Sequence, residues 1–281
     1  MPLPRDTDAV RRPAVAGRFY PIEPAALDRE VRALLSRTRS PAPSPALAVV
    51  APHAGYVYSG ATAGETYGRI PAPKRALVLC PNHTGRGVRR SITFAKSWAL
   101  PGGAVPIDEE LSALALRDAA LERDEAAHEY EHAIEVQLPF LRAMNPNVSF
   151  AGVCLGVLSL SECLEVGAGL ARAVSEAQAR SDGVLIVAST DLSHYVPADI
   201  AQEMDALAIE RILALDAEGL YRTVRERGIS MCGFVPTTVA LAAARALGAT
   251  PGRTELVRYA NSGETSGDMD RVVGYAGLTV A

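Results

Sequence analysis

Two histidines in this chain share a local setting, and a cysteine further on offers them a partner. His53 follows the apolar run Ala48-Val49-Val50-Ala51 and Pro52; His83 follows Leu77-Val78-Leu79-Cys80, Pro81 and Asn82. In both cases a glycine, Gly55 or Gly85, comes shortly afterwards. A neutral imidazole is a metal ligand and, near neutral pH, a proton donor or acceptor. Two imidazoles delivered by the same device can share one ion or one substrate. Taken singly, each also reads as an ordinary turn residue.

A third apolar run, Val184-Leu185-Ile186-Val187-Ala188-Ser189, leads into Thr190-Asp191-Leu192-Ser193-His194. Asp191 is close enough in sequence for its carboxylate to orient the His194 imidazole, an arrangement suited to general acid or base work. Reading Asp191 as a helix N-cap assisted by Ser193 accounts for the aspartate and leaves His194 unexplained. Cys232 lies in Met231-Cys232-Gly233-Phe234-Val235-Pro236, just before a helix that Pro236 can start. A thiol near a helix N-terminus ionises more easily, and thiolate is a nucleophile or a metal ligand. Cys80, Cys154 and Cys163 read instead as small buried residues. There is no C-x-x-C pair.

Two histidines plus one anionic group make an open mononuclear site. Cys232, Asp191 and Glu264 are the candidates for the anionic ligand. Zinc, iron and copper all suit such donors, and spacing does not choose among them. Tyr58 and Asn82 lie beside the two histidine turns and are expected to line the pocket. Glu131-His132-x-x-Glu135 reads as the opening of a helix with His132 and Glu135 on one face, in a supporting or substrate-binding role. His128 reads as a surface loop residue. The stretch from Asn261 to Asp268 is rich in turn formers and reads as a rim loop; it lacks the lysine and glycine spacing of a phosphate loop.

The elements that would position these residues follow from the hydrophobic pattern. Strands are expected at 46–51, 76–80, 91–94, 148–155, 183–189, 255–260 and 271–278. Helices are expected at 59–70, 107–117, 133–144, 161–180, 197–215 and 236–247. Such alternation implies an α/β fold with a central, largely parallel or mixed sheet flanked by helices on both faces. Ligands of such sheets collect outside the carboxyl ends of the strands, which is where His53, His83 and the Asp191/His194 pair would fall. The whole chain, residues 1–281, reads as one domain. Residues 1–45 would form an N-terminal arm, a helix and a Pro/Ser-rich connection at 36–45.

Bulk properties narrow the function. Of 281 residues, 48% are hydrophobic, enough for a large core. The net charge of −4 argues against nucleic acid as an obligate partner, which needs clustered cations. The opening residues lack the apolar core of a secretory signal, and no run approaches a membrane span. Four reduced thiols in a cytoplasmic protein is the resulting expectation.

Several ordered motifs together resemble the Memo family, known in bacteria as AmmeMemoRadiSam system protein B. They are Arg12-Pro-Ala-Val-Ala-Gly-Arg-Phe-Tyr-Pro21, Pro52-His-Ala-Gly-Tyr-Val-Tyr-Ser-Gly60, Pro81-Asn-His83, Glu131-His-Ala-Ile-Glu135, Ser189-Thr-Asp-Leu-Ser-His-Tyr195, Cys232-Gly233 with Pro236, and Tyr259-Ala-Asn-Ser-Gly263 with Ser266-Gly-Asp268. The resemblance runs nearly end to end. It implies a fold similar to the catalytic subunit of class III extradiol ring-cleaving dioxygenases, which hold non-haem Fe(II) with two histidines and a carboxylate. Carried over, the metal ligands are His53, His83 and, in place of the carboxylate, Cys232; the acid/base is His194, served by Asp191. The implied cofactor is one divalent ion, iron first, with copper or zinc as alternatives, and the implied reaction is oxidation of a small organic substrate. A radical-SAM protein of the same pathway is an expected partner. Two other readings use the same residues: metal-free nucleophilic catalysis by Cys232 with His194 as base, and a non-catalytic adaptor that binds a metal or peptide in the pocket.

Overall fold

The computed structural model describes residues 9–38, 43–180 and 183–281. Residues 1–8, part of the expected arm, and 39–42, part of the Pro/Ser-rich connection, lie outside the described residues. The chain begins with β1 (Val10–Arg11), α1 (Pro24–Leu35), β2 (Ala48–Ala51), α2 (Tyr56–Tyr67) and β3 (Arg75–Pro81). Next come β4 (Arg90–Ile92), β5 (Ser97–Leu100), β6 (Gly103–Pro106), α3 (Glu109–Asp118) and β7 (Glu122–Arg123). A 3-10 turn at Glu135–Gln137 runs into α4 (Leu138–Met144), followed by β8 (Ser149–Leu155), α5 (Leu160–Arg180) and β9 (Val184–Ser189). The remainder is β10 (His194–Val196), α6 (Ala198–Leu213), α7 (Ala217–Arg227), α8 (Phe234–Ala246), β11 (Thr254–Asn261), α9 (Gly263–Ser266) and β12 (Val272–Val280).

All seven expected strands form. The main sheet has the order β10-β12-β2-β9-β3-β8-β4-β7, with β11 paired to β12. Its centre, β2-β9-β3-β8, is parallel. On either side β12 and β4 run antiparallel to their neighbours, so the sheet is mixed around a parallel core. The central strands are buried on both faces, as their unbroken apolar sequences require. Side chains alternate between two cores. Leu77 and Leu79 of β3 join one, with α3, α5 and α8. Ala76, Val78 and Cys80 join the other, with α1, α2 and α4.

Three expectations change. The segment from Glu131 does not open a helix: the chain is irregular until the 3-10 turn at Glu135, because Glu131 and Glu135 bond to different parts of the molecule, as described below. Pro236 does not start α8 but is its third residue. A small sheet, β1-β5-β6, was not expected; it joins the N-terminal arm to a hairpin. Cys80, Cys154 and Cys163 are buried, as expected.

Candidate metal centre

The carboxyl ends of β2, β3 and β9 lie side by side, with Ala51 paired to Ser189. The residues that follow each strand therefore meet at one edge. His53 is buried, and its Nε2 lies 3.2 Å from Cys232 Sγ. The rings of His53 and His83 are 5.1 Å apart between centroids. One ligand atom each from His53, His83 and Cys232 fall within 4.8 Å of one another. Gly233 brings Cys232 this close: a Cβ at that position would stand 2.6 Å from the Ser189 carbonyl oxygen at the end of β9.

Hydrogen-bond accounting fixes which nitrogen each imidazole presents. Ser189 Oγ donates its proton to the Ala133 carbonyl at 2.7 Å. It accepts from Gln137 Nε2 at 2.8 Å, and so must accept from His53 Nδ1, 3.0 Å away. Nδ1 of His53 carries the hydrogen, and its Nε2 lone pair faces the thiol. His83 Nδ1 donates to Glu131 Oε1 at 2.9 Å, which leaves its Nε2 as the free donor atom. Partners of this kind on the non-ligating nitrogen orient metal-bound histidines and raise their basicity. Gln137 also donates to the Pro52 carbonyl at 3.0 Å, fastening the turn that carries His53. Sequence reasoning missed Gln137; a buried glutamine between apolar neighbours was the available signal.

Glu131 is fully buried and holds the second turn. Its Oε2 accepts from the His83 backbone N–H at 2.7 Å, and its Oε1 accepts from the backbone N–H groups of His132 and Ala133. Burial alone would raise its pKa; the hydrogen bond and charge of His83 and the surrounding donors outweigh this and bring it to about 2. The same bond and charge raise His83 against the pull of its own burial. Burial, with the nearby His83 ring, pushes His53 down to about 3. His132 stacks on His83 at 4.8 Å and is pushed down to about 4 by burial and by His53. His83, Glu131 and His132 could form a second ligand group, but the donors around Glu131 Oε1 occupy it, so the carboxylate supports the first group.

Several expected roles move. Asp191 does not orient the His194 ring. Its Oδ1 accepts from the His53 backbone N–H at 2.8 Å, so it shapes the His53 turn. His194 is held instead by Ser230. Asp191 caps no helix, and burial raises its carboxyl pKa. Glu264 is turned toward Arg258 and the Asn261 backbone. Cys232 does not gain acidity from α8: burial and then the charge of Asp191 push its thiol up. Its near imidazole is His53, already a weak base, and not His194. That arrangement disfavours the metal-free nucleophile, whereas a bound cation would displace the thiol proton. Asn82 uses its side chain on its own turn, accepting from Thr84 and Gly85 and donating to the Arg86 carbonyl. Tyr58 is exposed in the first turn of α2. His128 is not a surface residue but fully buried, donating from Nε2 to Ser91 Oγ at 2.8 Å. Glu135 faces away from His132, toward Arg11, Tyr20 and the backbone of Ala14 and Val15.

The family model described as Memo-like protein matches residues 11–279. The chain belongs to the Memo family. It is 42% identical to a MEMO1 family protein of Methanosarcina barkeri over 276 residues, covering 96% of this chain and all of that one. It is 38% identical to a MEMO1 family protein of Methanothermobacter thermautotrophicus over 281 residues, with 96% and 100% covered. A third, from Aquifex aeolicus, is 40% identical over 270 residues, with 96% and 98% covered. As a Memo family member the chain carries its candidate ligand group on three separate segments, after β2, after β3 and before α8. No helix among the described residues is long and apolar enough to cross a membrane.

Proposed function

We propose that this Memo family member is a metalloprotein in which one divalent ion, iron before copper or zinc, is held by His53, His83 and Cys232 and serves redox chemistry on a small organic substrate. The observation that carries the reading is the convergence of the three ligand atoms within 4.8 Å. The other nitrogen of each imidazole is already engaged, by Ser189 and by Glu131. Two imidazoles and one thiolate leave positions for substrate or oxygen, and a metal so held supplies Lewis-acid and redox chemistry. The residues of the chain do the rest. Asp191 and Gln137 fix the His53 turn, and Glu131 fixes the His83 turn. His194 Nε2 accepts or returns a proton, and His132, whose ring stacks on His83, lines the approach. The oxidative reaction type, and kinship with the class III extradiol dioxygenase fold, rest on the sequence resemblance.

The test is metal content after anaerobic reconstitution with Fe(II), with parallel Cu and Zn samples. The expected result is one tightly held ion per chain, lost in His53→Ala, His83→Ala and Cys232→Ala. Unchanged stoichiometry in all three variants would overturn the ligand assignment.

A further inference from the structure

We infer that Ser230 is a positioning residue that locks His194 in the form protonated at Nδ1, so that its Nε2 is the proton-accepting atom. The inference rests on the reading of His194 as the acid/base of the proposed site. Ser230 engages His194 at three points, the longest a 3.5 Å bond from its Oγ to the His194 carbonyl. Its Oγ accepts the His194 backbone N–H at 2.7 Å, and its carbonyl oxygen lies 2.9 Å from His194 Nδ1. A carbonyl can only accept, so Nδ1 must carry the hydrogen and Nε2 the lone pair. When Nε2 takes a proton, the Nδ1–H bond to the carbonyl is retained, and the ring need not turn.

Two features of the fold show why the clamp is needed and what it links. Tyr195, immediately after His194, has φ of 60°, in the left-handed region that a bulky residue rarely adopts. Such a backbone persists only where the surroundings over-determine it. On one side, Asp205 accepts the Ser193 N–H at 2.9 Å and β12 pairs with His194; on the other stands Ser230. Second, Ser230 lies on the short crossing between Gly228, which ends α7, and Gly233, which precedes α8. The same crossing carries Cys232. The thiol and the clamp on the acid/base are thus delivered by one segment, fastened to the residue after β9 through the bond from Gly233 N–H to Thr190 Oγ1 at 3.0 Å. Cys232 in turn lies 3.2 Å from His53 Nε2 and accepts the Asp191 backbone N–H at 3.3 Å, so the segment joins the two halves of the site.

The experiment is nitrogen-15 NMR of the histidine rings in the full chain, at mildly alkaline pH, with and without Zn(II) as a diamagnetic probe. His194 is assigned by its loss in His194→Gln. The expected wild-type result is a single ring form with Nδ1 protonated and Nε2 bare. Ser230→Ala keeps the carbonyl but releases the His194 backbone, so the ring should drift off that carbonyl and lose the single form; Ser230→Thr, which keeps the hydroxyl, should restore it. A wild-type ring protonated at Nε2, or a mixture of forms, overturns the inference without any variant. So does a folded Ser230→Ala chain that keeps the single form. Zinc content of the same samples separates the two proposals: metal bound with the wrong ring form sinks only the role of Ser230. The expected ring form in a chain that binds no metal sinks only the metal centre.

Discussion

At the scale of single residues, the site is governed by which atom of each side chain is already engaged. His53 and His83 present the same nitrogen because Ser189 and Glu131 occupy the other. The two candidate ligand histidines were legible in the sequence, since an apolar run followed by proline and histidine states both the strand and the exit from it. Their supporters were less so. Asp191 stood out in the sequence as a candidate site carboxylate, yet its partner is the His53 backbone from another strand end rather than the histidine three residues on. Nothing local encodes that choice; it follows from the parallel register of β2 and β9. Glu131 is the residue on which a substitution tells most. Glu131→Gln keeps the shape but places a donor among atoms that already donate. Metal affinity should fall about 10–100-fold, as for other supporting partners of ligand histidines. Competition against a chelator of known affinity measures it. Undiminished affinity would mean that His83 is oriented by something else.

At the scale of elements, the segment from His128 to Glu135 shows where pattern reading fails. The spacing of Glu131, His132 and Glu135 fits a helix turn, but the segment is pinned from outside. Arg11 of β1 donates to the carbonyls of His128 and Glu131, pairs with Glu135 and lies 4.2 Å over the Trp98 ring. A carbonyl that accepts from Arg11 is drawn away from helical geometry, and Glu131 is left free to turn toward His83. Helix α7 was missed for the opposite reason. It carries few buried apolar residues, although Asp216 at its start and Gly228, with φ of 65°, at its end are good caps. Strands β5, β6 and β10 are too short for their alternation to register. Because the Arg11–Glu135 pair is buried, removing one partner strands the other's charge. Arg11→Ala should cost about 3–5 kcal/mol in urea unfolding. It should also weaken metal binding, since the segment carrying Glu131 loses its anchor. Loss of stability with metal affinity intact would show that Glu131 is held by its own four bonds alone.

At the scale of the whole molecule, the α/β class and the parallel centre were legible because doubly buried strands have a distinctive composition. The strand order was not, since it depends on which long-range pairings win, and so neither was the antiparallel placement of β12 and β4. The two-sided core has a further consequence for acid stability. His128 sits wholly inside it, and burial, with the charge of Arg11 adding to it, pushes its pKa down from 6.5 to about 3. The folded chain therefore keeps His128 neutral while the unfolded chain protonates it. Between pH 6.5 and about 3 the unfolded state binds the extra proton, so this residue withdraws stability as the pH falls, by at most about 1.4 kcal/mol per unit. Above that window it contributes no pH dependence. In His128→Asn the group is gone, so the stability gap between wild type and variant should narrow steadily on acidification from pH 7 toward about 4. Urea unfolding at a series of pH values, without added metal, reads the gap directly. A gap that stays constant would mean that His128 is charged inside the fold, where the orphaned Nδ1 lone pair now has no partner among the described residues.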